Sequence, residues 1–340
     1  MADLFSPLTI KGQTLPNRIV LPPMANNMAN DRGEVTDAHI EHYVRRASVG
    51  VGMVIVEHTY IRRDGRVNAQ QLGLYEDSLI DGLRRLADAV RACGTVVGIQ
   101  ITHGGGKATS ALIGRTPISA SDGIVPGATE PAQAATLDEI EEIPAAFAAA
   151  ARRAKAAGFD FVEVHGAHGY LLSQFLSPLT NQRTDQYGGD LAGQQRLPVE
   201  VVKTVRHVAG DDYLLLYRLG ANDNMAGGLT QAEGRQTALA LVQAGVDLLD
   251  VSGGLGGAAP PDWDGQSQGY FVPMAADIQA ATQVPVVVAG GITQPEFADC
   301  VIREGKVDLV AIGRAMLSNP DWAKDARKIL QDADDTADEE

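Results

Sequence analysis

The chain has 340 residues, 45% of them hydrophobic and 5% aromatic, with 37 glycines and a formal net charge of −15 at pH 7. That balance suits one large globular core and argues against nucleic acid, because no stretch presents a dense basic face. Cys93 and Cys300 are too few for an iron–sulfur cluster or a disulfide framework. The opening MADLFSPLTIKG has no basic region leading into an apolar one, so it does not read as a signal peptide. No apolar run approaches the ~18 residues of a membrane span, and the expectation is a cytoplasmic chain with no membrane partner.

Eight short apolar runs recur in chain order: Arg18–Met24, Gly52–Thr59, Val96–Thr102, Phe161–Gly166, Tyr213–Gly220, Leu248–Gly254, Val284–Gly291 and Leu309–Arg314. Helical patterns fall between them at Ser78–Cys93, Ile140–Ala157, Leu197–Val208, Gln231–Ala244 and Pro295–Glu304. Near-continuous apolar strands alternating with helices imply a parallel sheet covered by helices, and eight such units close a barrel. Thr136 with Glu139 has the spacing of a capping box. Gly158 and Gly245 sit where helices give way to strands. The Gly-, Pro- and Ser-bearing stretch from Gly104 to Ala135 reads as a cap over the site. The fold expected is α/β, a single (β/α)8 TIM barrel over residues 1–328 with a capping segment after the third strand, then an acidic tail over 329–340 read as disordered. A doubly wound sheet would carry a glycine-rich turn after the first strand. Pro22-Pro23-Met24-Ala25-Asn26-Asn27 is no such turn.

Active sites of these barrels lie at the C-terminal ends of the strands, so polar residues just beyond each run are the first candidates. Gly290-Gly291 and Gly313-Arg314, after the seventh and eighth runs, have the form of a phosphate site; the competing reading is two ordinary turns. His165 and His168 lack a third ligand for zinc. As neutral imidazoles they could donate hydrogen bonds to an oxygen on which negative charge grows. Tyr170, two residues on, is a proton donor of suitable type. Arg218 ends an apolar strand, where it needs an anion or a salt bridge. Gln100 offers an amide donor and acceptor to a ligand or to a barrel neighbour.

With these positions assembled, the chain resembles the Old Yellow Enzyme family from about Leu4 to Pro320. The resemblance rests on LFSPLTIKGQTLPNRIVLPPM, on VEVHGAHGYLLSQFLSPLTNQRTDQYGGD, on the strand ending in Arg218, on AGGIT and on IGRAMLSNP. It implies a non-covalent FMN across the barrel mouth. Pro23, Met24 and Ala25 would back the ring with His58 close by. Gln100 and Arg218 would contact the pyrimidine portion, and Gly290, Gly291, Gly313 and Arg314 would hold the phosphate. His165 and His168 would bind the carbonyl or nitro oxygen of an activated alkene, with Asn27 also at the substrate, and Tyr170 would supply its proton. NADPH or NADH would be the reductant in a ping-pong cycle.

Several positions depart from the family pattern. Ala25 stands where a Thr or Cys touches the flavin, His58 where a small residue is common, and Gly106 in an arginine position. Asn26 and Asn27 replace an aromatic residue. The C-terminal aromatic–arginine finger of shared-site dimers is absent from QDADDTADEE, so a homo-oligomer is expected only in a different form. The leading expectation is an ene reductase. The alternatives are a flavin-dependent reductase of quinones, nitro groups or a dedicated metabolite, and a flavin-free barrel isomerase or lyase using His165, His168 and Tyr170.

Overall fold

The eight apolar runs form one closed parallel barrel, as the alternation of strands and helices implies. The computed structural model describes residues 2–337, with side chains described as far as 332. We number the barrel strands β1 (Ile19–Leu21), β2 (Met53–Tyr60), β3 (Val96–Thr102), β4 (Phe161–Gly166), β5 (Leu214–Gly220), β6 (Leu248–Ser252), β7 (Val286–Val288) and β8 (Leu309–Ala311). Each pairs with its sequence neighbours, and β8 closes on β1 through Val310 opposite Ile19. β1, β7 and β8 keep only three residues each of the longer apolar runs.

Burial explains the strand composition. Residues of one parity pack outward against the helices, and those of the other fill the barrel. The lower interior holds Val20, Met53, Ile55, Phe161, Leu214, Leu216, Leu248, Val287 and Leu309. A hairpin of Leu8–Ile10 and Gln13–Leu15 plugs the N-terminal end, contributing Ile10 and Leu15 to this cluster. Its turn, Lys11 and Gly12, has φ of 47° and 76°, the left-handed pair that a tight hairpin needs.

Helix boundaries follow their caps. Thr136 and Glu139 form the expected capping box at Leu137–Ala156, and Thr36–His39 and Thr230–Glu233 form two more. The segment after β3 is a short turn at Gly105–Lys107, a one-turn helix Ser110–Ile113 and a strand pair, Ile118–Ser119 with Gln133–Ala134. The last helix, Trp322–Ala337, corrects the reading of a disordered acidic tail from residue 329. Its apolar face, with Trp322, Ala323 and Ala326 buried in the core, carries the helix into that stretch; residues 338–340 lie outside the described residues. Among the described residues, no helix is long and apolar enough to cross a membrane.

Candidate active site

Above the apolar filling, the same inward parity switches to charge. Gln100, Glu163, Arg218 and Asp250 come from β3, β4, β5 and β6 and are all buried. The Gln100 amide donates to Glu163 Oε1 at 2.7 Å, and Arg218 Nε lies 3.2 Å from Asp250 Oδ2 without the angle of a hydrogen bond. Glu163 Oε2, both Asp250 oxygens and Arg218 Nε have no hydrogen-bond partner among the described residues. Burial first, and then the nearby Asp250, push the Glu163 carboxyl well above the usual range, with Arg218 opposing. Burial likewise raises Asp250, again against Arg218. Two acids and one guanidinium in a dry layer cannot all stay charged at low cost.

One step further up stand His165, His168 and Tyr170. The two imidazole centroids are 5.2 Å apart at 81°, and Tyr170 lies edge-on to His165 at 4.9 Å. Burial holds both histidines well below their ordinary value, helped for His165 by His168 and Arg218 and for His168 by Arg218 and Lys107, so both rings are neutral. His168 shares a 2.8 Å hydrogen bond with Ser252 Oγ, whereas His165 Nδ1 has no partner among the described residues. His168 adopts φ 57°, a left-handed conformation that costs a non-glycine residue on the order of 1 kcal/mol and clusters at ligand sites. Burial pushes the Tyr170 phenol up to about 12.

His58 joins this group. β2 carries a bulge between Val56 and Thr59, so one extra residue interrupts its register with β3 there. Bulges of this kind re-aim side chains beside active sites. The His58 ring stacks on Tyr170 at 5.4 Å and 22°. Beneath it, Glu57 accepts from the Asn26 amide at 2.9 Å and meets His39 at 2.7 Å, anchoring the turn after β1. On that turn Pro23 is buried, Met24 half-buried, and Ala25 and Asn27 exposed, with Asn27 at φ 55°.

The glycine turns meet on another side of the mouth. Gly290 and Gly291 have φ of 143° and 68°. A Cβ on Gly313 would lie 3.1 Å from Met24 Sδ, which brings the β8 turn against the β1 turn. Arg314 donates to the Tyr270 hydroxyl at 3.1 Å and sits 4.2 Å over the Trp263 ring. The structure therefore gathers His58, His165, His168 and Tyr170 in one cluster, puts Gln100 and Arg218 beneath it, and joins Met24, Gly313 and Arg314 along the rim.

Sequence reasoning missed several neighbours. Glu163 and Asp250 share inward parity with His165 and Arg218, a period-of-two signal present in FVEVH and LLDVS. Lys107 donates to the His168 carbonyl at 2.8 Å and lies 5.7 Å from the Tyr170 ring centre. Gln71, Trp263 and Tyr270 arrive on long loops, and local pattern gives no sign of them.

Comparison with known proteins identifies the family. The sequence profile of the NADH:flavin oxidoreductase / NADH oxidase family matches residues 3–333. An NADH oxidase of Thermoanaerobacter brockii is 40% identical over 336 residues, covering 97% of this chain and 51% of that protein, so this chain spans about half of it. An NADPH dehydrogenase of Listeria monocytogenes serotype 4b is 39% identical, covering 97% of this chain and 96% of the relative. A solved old yellow enzyme homologue of Zymomonas mobilis superposes with a TM-score of 0.84 at 27% identity, covering 97% of this chain and 93% of that one.

Proposed function

The chain belongs to the NADH:flavin oxidoreductase / NADH oxidase family, as an FMN- and NAD(P)H-dependent oxidoreductase of the Old Yellow Enzyme type, and from that premise we propose that it reduces activated C=C bonds of unsaturated carbonyl or nitro compounds. Dependence on FMN sets aside the flavin-free isomerase or lyase. The observation that carries the reading is the pair of neutral imidazoles, His165 buried and His168 partly so, with a phenol edge-on to the first of them.

The residues present fit FMN. Arg218 Nε is a buried cation donor without a hydrogen-bonded partner among the described residues, suited to the electron-rich pyrimidine edge of a flavin beside the Gln100 amide. Pro23, Met24, Ala25 and His58 would line the ring. Gly290, Gly291, Gly313 and Arg314 would hold the phosphate, Arg314 first releasing Tyr270. Held by these residues, FMN would supply the hydride chemistry that links the nicotinamide to the alkene.

The protein's own part is positioning, charge stabilisation and one proton. His165 and His168 donate hydrogen bonds to the substrate's carbonyl or nitro oxygen; being neutral, they stabilise the growing negative charge without surrendering a proton. Ser252 fixes the His168 ring for this role. Tyr170 holds its proton firmly, with its phenol raised to about 12, and releases it only to a strongly basic α-carbon. Asn27, exposed on the β1 turn, would touch the outer part of the substrate.

The test is a visible spectrum of the purified protein, then anaerobic titration with NADPH followed by cyclohexenone. Flavin bands that bleach with NADPH and return with the enone are expected. Bands that bleach and do not return would sink the ene reductase reading and leave a flavin reductase. In stopped flow, Tyr170→Phe should slow the enone half-reaction roughly 100-fold or more and leave reduction by NADPH within a few-fold. Equal slowing of both would remove Tyr170 from proton donation.

A further inference from the structure

His58 is held by a lock that fixes where its proton sits. Gln71 is fully buried, and its side-chain oxygen accepts from the Val67 amide at 2.8 Å. A backbone N–H can only donate, so the orientation of the Gln71 amide is determined. Its NH2 group gives one hydrogen to the His58 carbonyl oxygen at 3.0 Å and faces His58 Nδ1 at 2.9 Å. A carbonyl can only accept, which identifies the same nitrogen a second time. Nδ1 therefore accepts and Nε2 carries the hydrogen. Residues 71–74 run beside Tyr60, with Tyr60 N–H to Leu72 O at 3.0 Å and Leu74 N–H to Tyr60 O at 2.9 Å, so the lock is built into the sheet edge.

The opposite edge of the ring is what the lock presents. The bulge in β2 places His58 against Tyr170; the residue as a whole is buried, and Nε2, which has no protein partner among the described residues, keeps access to solvent. An N–H donor that is open to the pocket and has no protein partner is free to donate to an acceptor on a bound molecule. His165 and His168 already supply donors on the other side of Tyr170.

We propose that His58, fixed by Gln71 as the tautomer protonated at Nε2, is a specificity-determining third donor of the pocket. The favoured substrates then carry two acceptor oxygens, one for His165 and His168 and the other for His58, as in quinones, cyclic enediones and unsaturated cyclic imides. This rests on the flavin-dependent reading above and deepens it. Gln71 is a positioning residue that acts through the His58 tautomer.

The test uses the FMN-loaded full chain with two probes, N-methylmaleimide, which has two carbonyl oxygens, and cyclopent-2-enone, which has one. His58→Phe keeps a ring against Tyr170 and removes the donor. It should raise the KM ratio of maleimide over enone about tenfold, in line with one lost hydrogen bond. Gln71→Glu puts an acceptor where the donor stood, moves the hydrogen to Nδ1 and should shift the ratio the same way. In 15N-histidine spectra of the wild type, His58 should show the tautomer protonated at Nε2, and in Gln71→Glu the reverse. An unchanged ratio in both variants overturns the proposal. So does a His58→Phe protein whose only change is in flavin potential or FMN affinity, and so does a His58 found protonated at Nδ1. The nitrogen spectra are read on protein with or without FMN, so a failure of the flavin reading, seen as a chain that cannot be reconstituted, stays separate from a failure of this one.

Discussion

The lower and upper halves of the barrel interior are built from the same strands and obey opposite rules. On β5 the inward residues run Leu214, Leu216, Arg218, and on β6 they run Leu248, Asp250, Ser252. On β4 they run Phe161, Glu163, His165. The lower residues are apolar and pack into one cluster. The upper ones leave Arg218 Nε, Glu163 Oε2, both Asp250 oxygens and His165 Nδ1 without hydrogen-bond partners among the described residues. Two residues along one strand thus separate a part that stabilises the fold from a part that costs stability and gains a binding layer. Strain and unmet polar groups concentrate at such sites.

The largest expected effects come from changing one residue in each half of β5. Leu216→Ala, in the lower half, should cost ~2–5 kcal/mol of stability through the cavity it leaves, read as a lower urea midpoint, with the flavin spectrum of the folded fraction unchanged. Arg218→Met, in the upper half, should abolish FMN retention through gel filtration. Its effect on the apo chain is governed by the two acids left without their cation, a loss of ~3–5 kcal/mol when one partner of a buried pair is removed. Retention of FMN by Arg218→Met would break the comparison, because the upper layer would then be structural like the lower one.

The division also explains what was legible in the sequence. The strand order, the capping box at Thr136 and the glycines at 158 and 245 depend on local pattern, and all were readable. The candidates His165, His168 and Tyr170 followed from position at a strand end, and the structure brings them together. The bulge at β2 was not readable, since one extra residue between Val56 and Thr59 leaves VIVEHTY looking like any buried strand. Gln71, Trp263 and Tyr270 act through contacts with partners 13, 51 and 44 residues away in sequence, to His58, Arg314 and Arg314 respectively, and periodicity carries no information at that range. The acids were visible as residues but not as a pair, because β5 separates β4 from β6 and the sequence does not say that Glu163 and Asp250 face one space. The last helix was missed for a related reason: composition marks an acidic stretch as solvated but not the apolar face that docks it.

A smaller effect sharpens the account of the upper layer. Burial raises Glu163 above its ordinary 4.5, so the folded state holds a proton that the unfolded chain has released. The unfolded state then binds fewer protons over the window from about pH 4.5 upward to the folded value, and stability falls as pH rises through it. Below that window both states are protonated and the destabilisation is absent. Glu163→Gln keeps the shape and removes the titration. Chemical denaturation of the apo protein at pH 5 and pH 8 should show the variant gaining relative to wild type at the higher pH, by ~1–3 kcal/mol for a buried unmatched charge. A difference between the two proteins that is the same at both pH values would mean Glu163 is ionised throughout and balanced by Arg218.

The smallest effect tests whether the fixed geometry of the upper layer matters once its charges are set. No hydrogen bond among the described residues joins the Ser252 hydroxyl to the acids that the comparison turns on; it meets His168 at 2.8 Å. Ser252→Ala removes one neutral hydrogen bond and leaves the fold and the charge pattern alone. If His168 works by being held in place, a phenol that binds through the imidazole pair should lose ~1 kcal/mol, a several-fold weaker Kd in a charge-transfer titration, while urea stability moves by less than that. His168 pays for its φ of 57° in backbone strain, and that strain is explicable only if the ring's position is worth more than the cost. A Ser252→Ala protein with unchanged phenol affinity would show that the backbone carbonyl contact from Lys107 and the 3.1 Å bond from His168 N–H to Gly253 O already fix the ring, and the upper layer would then depend on charge alone.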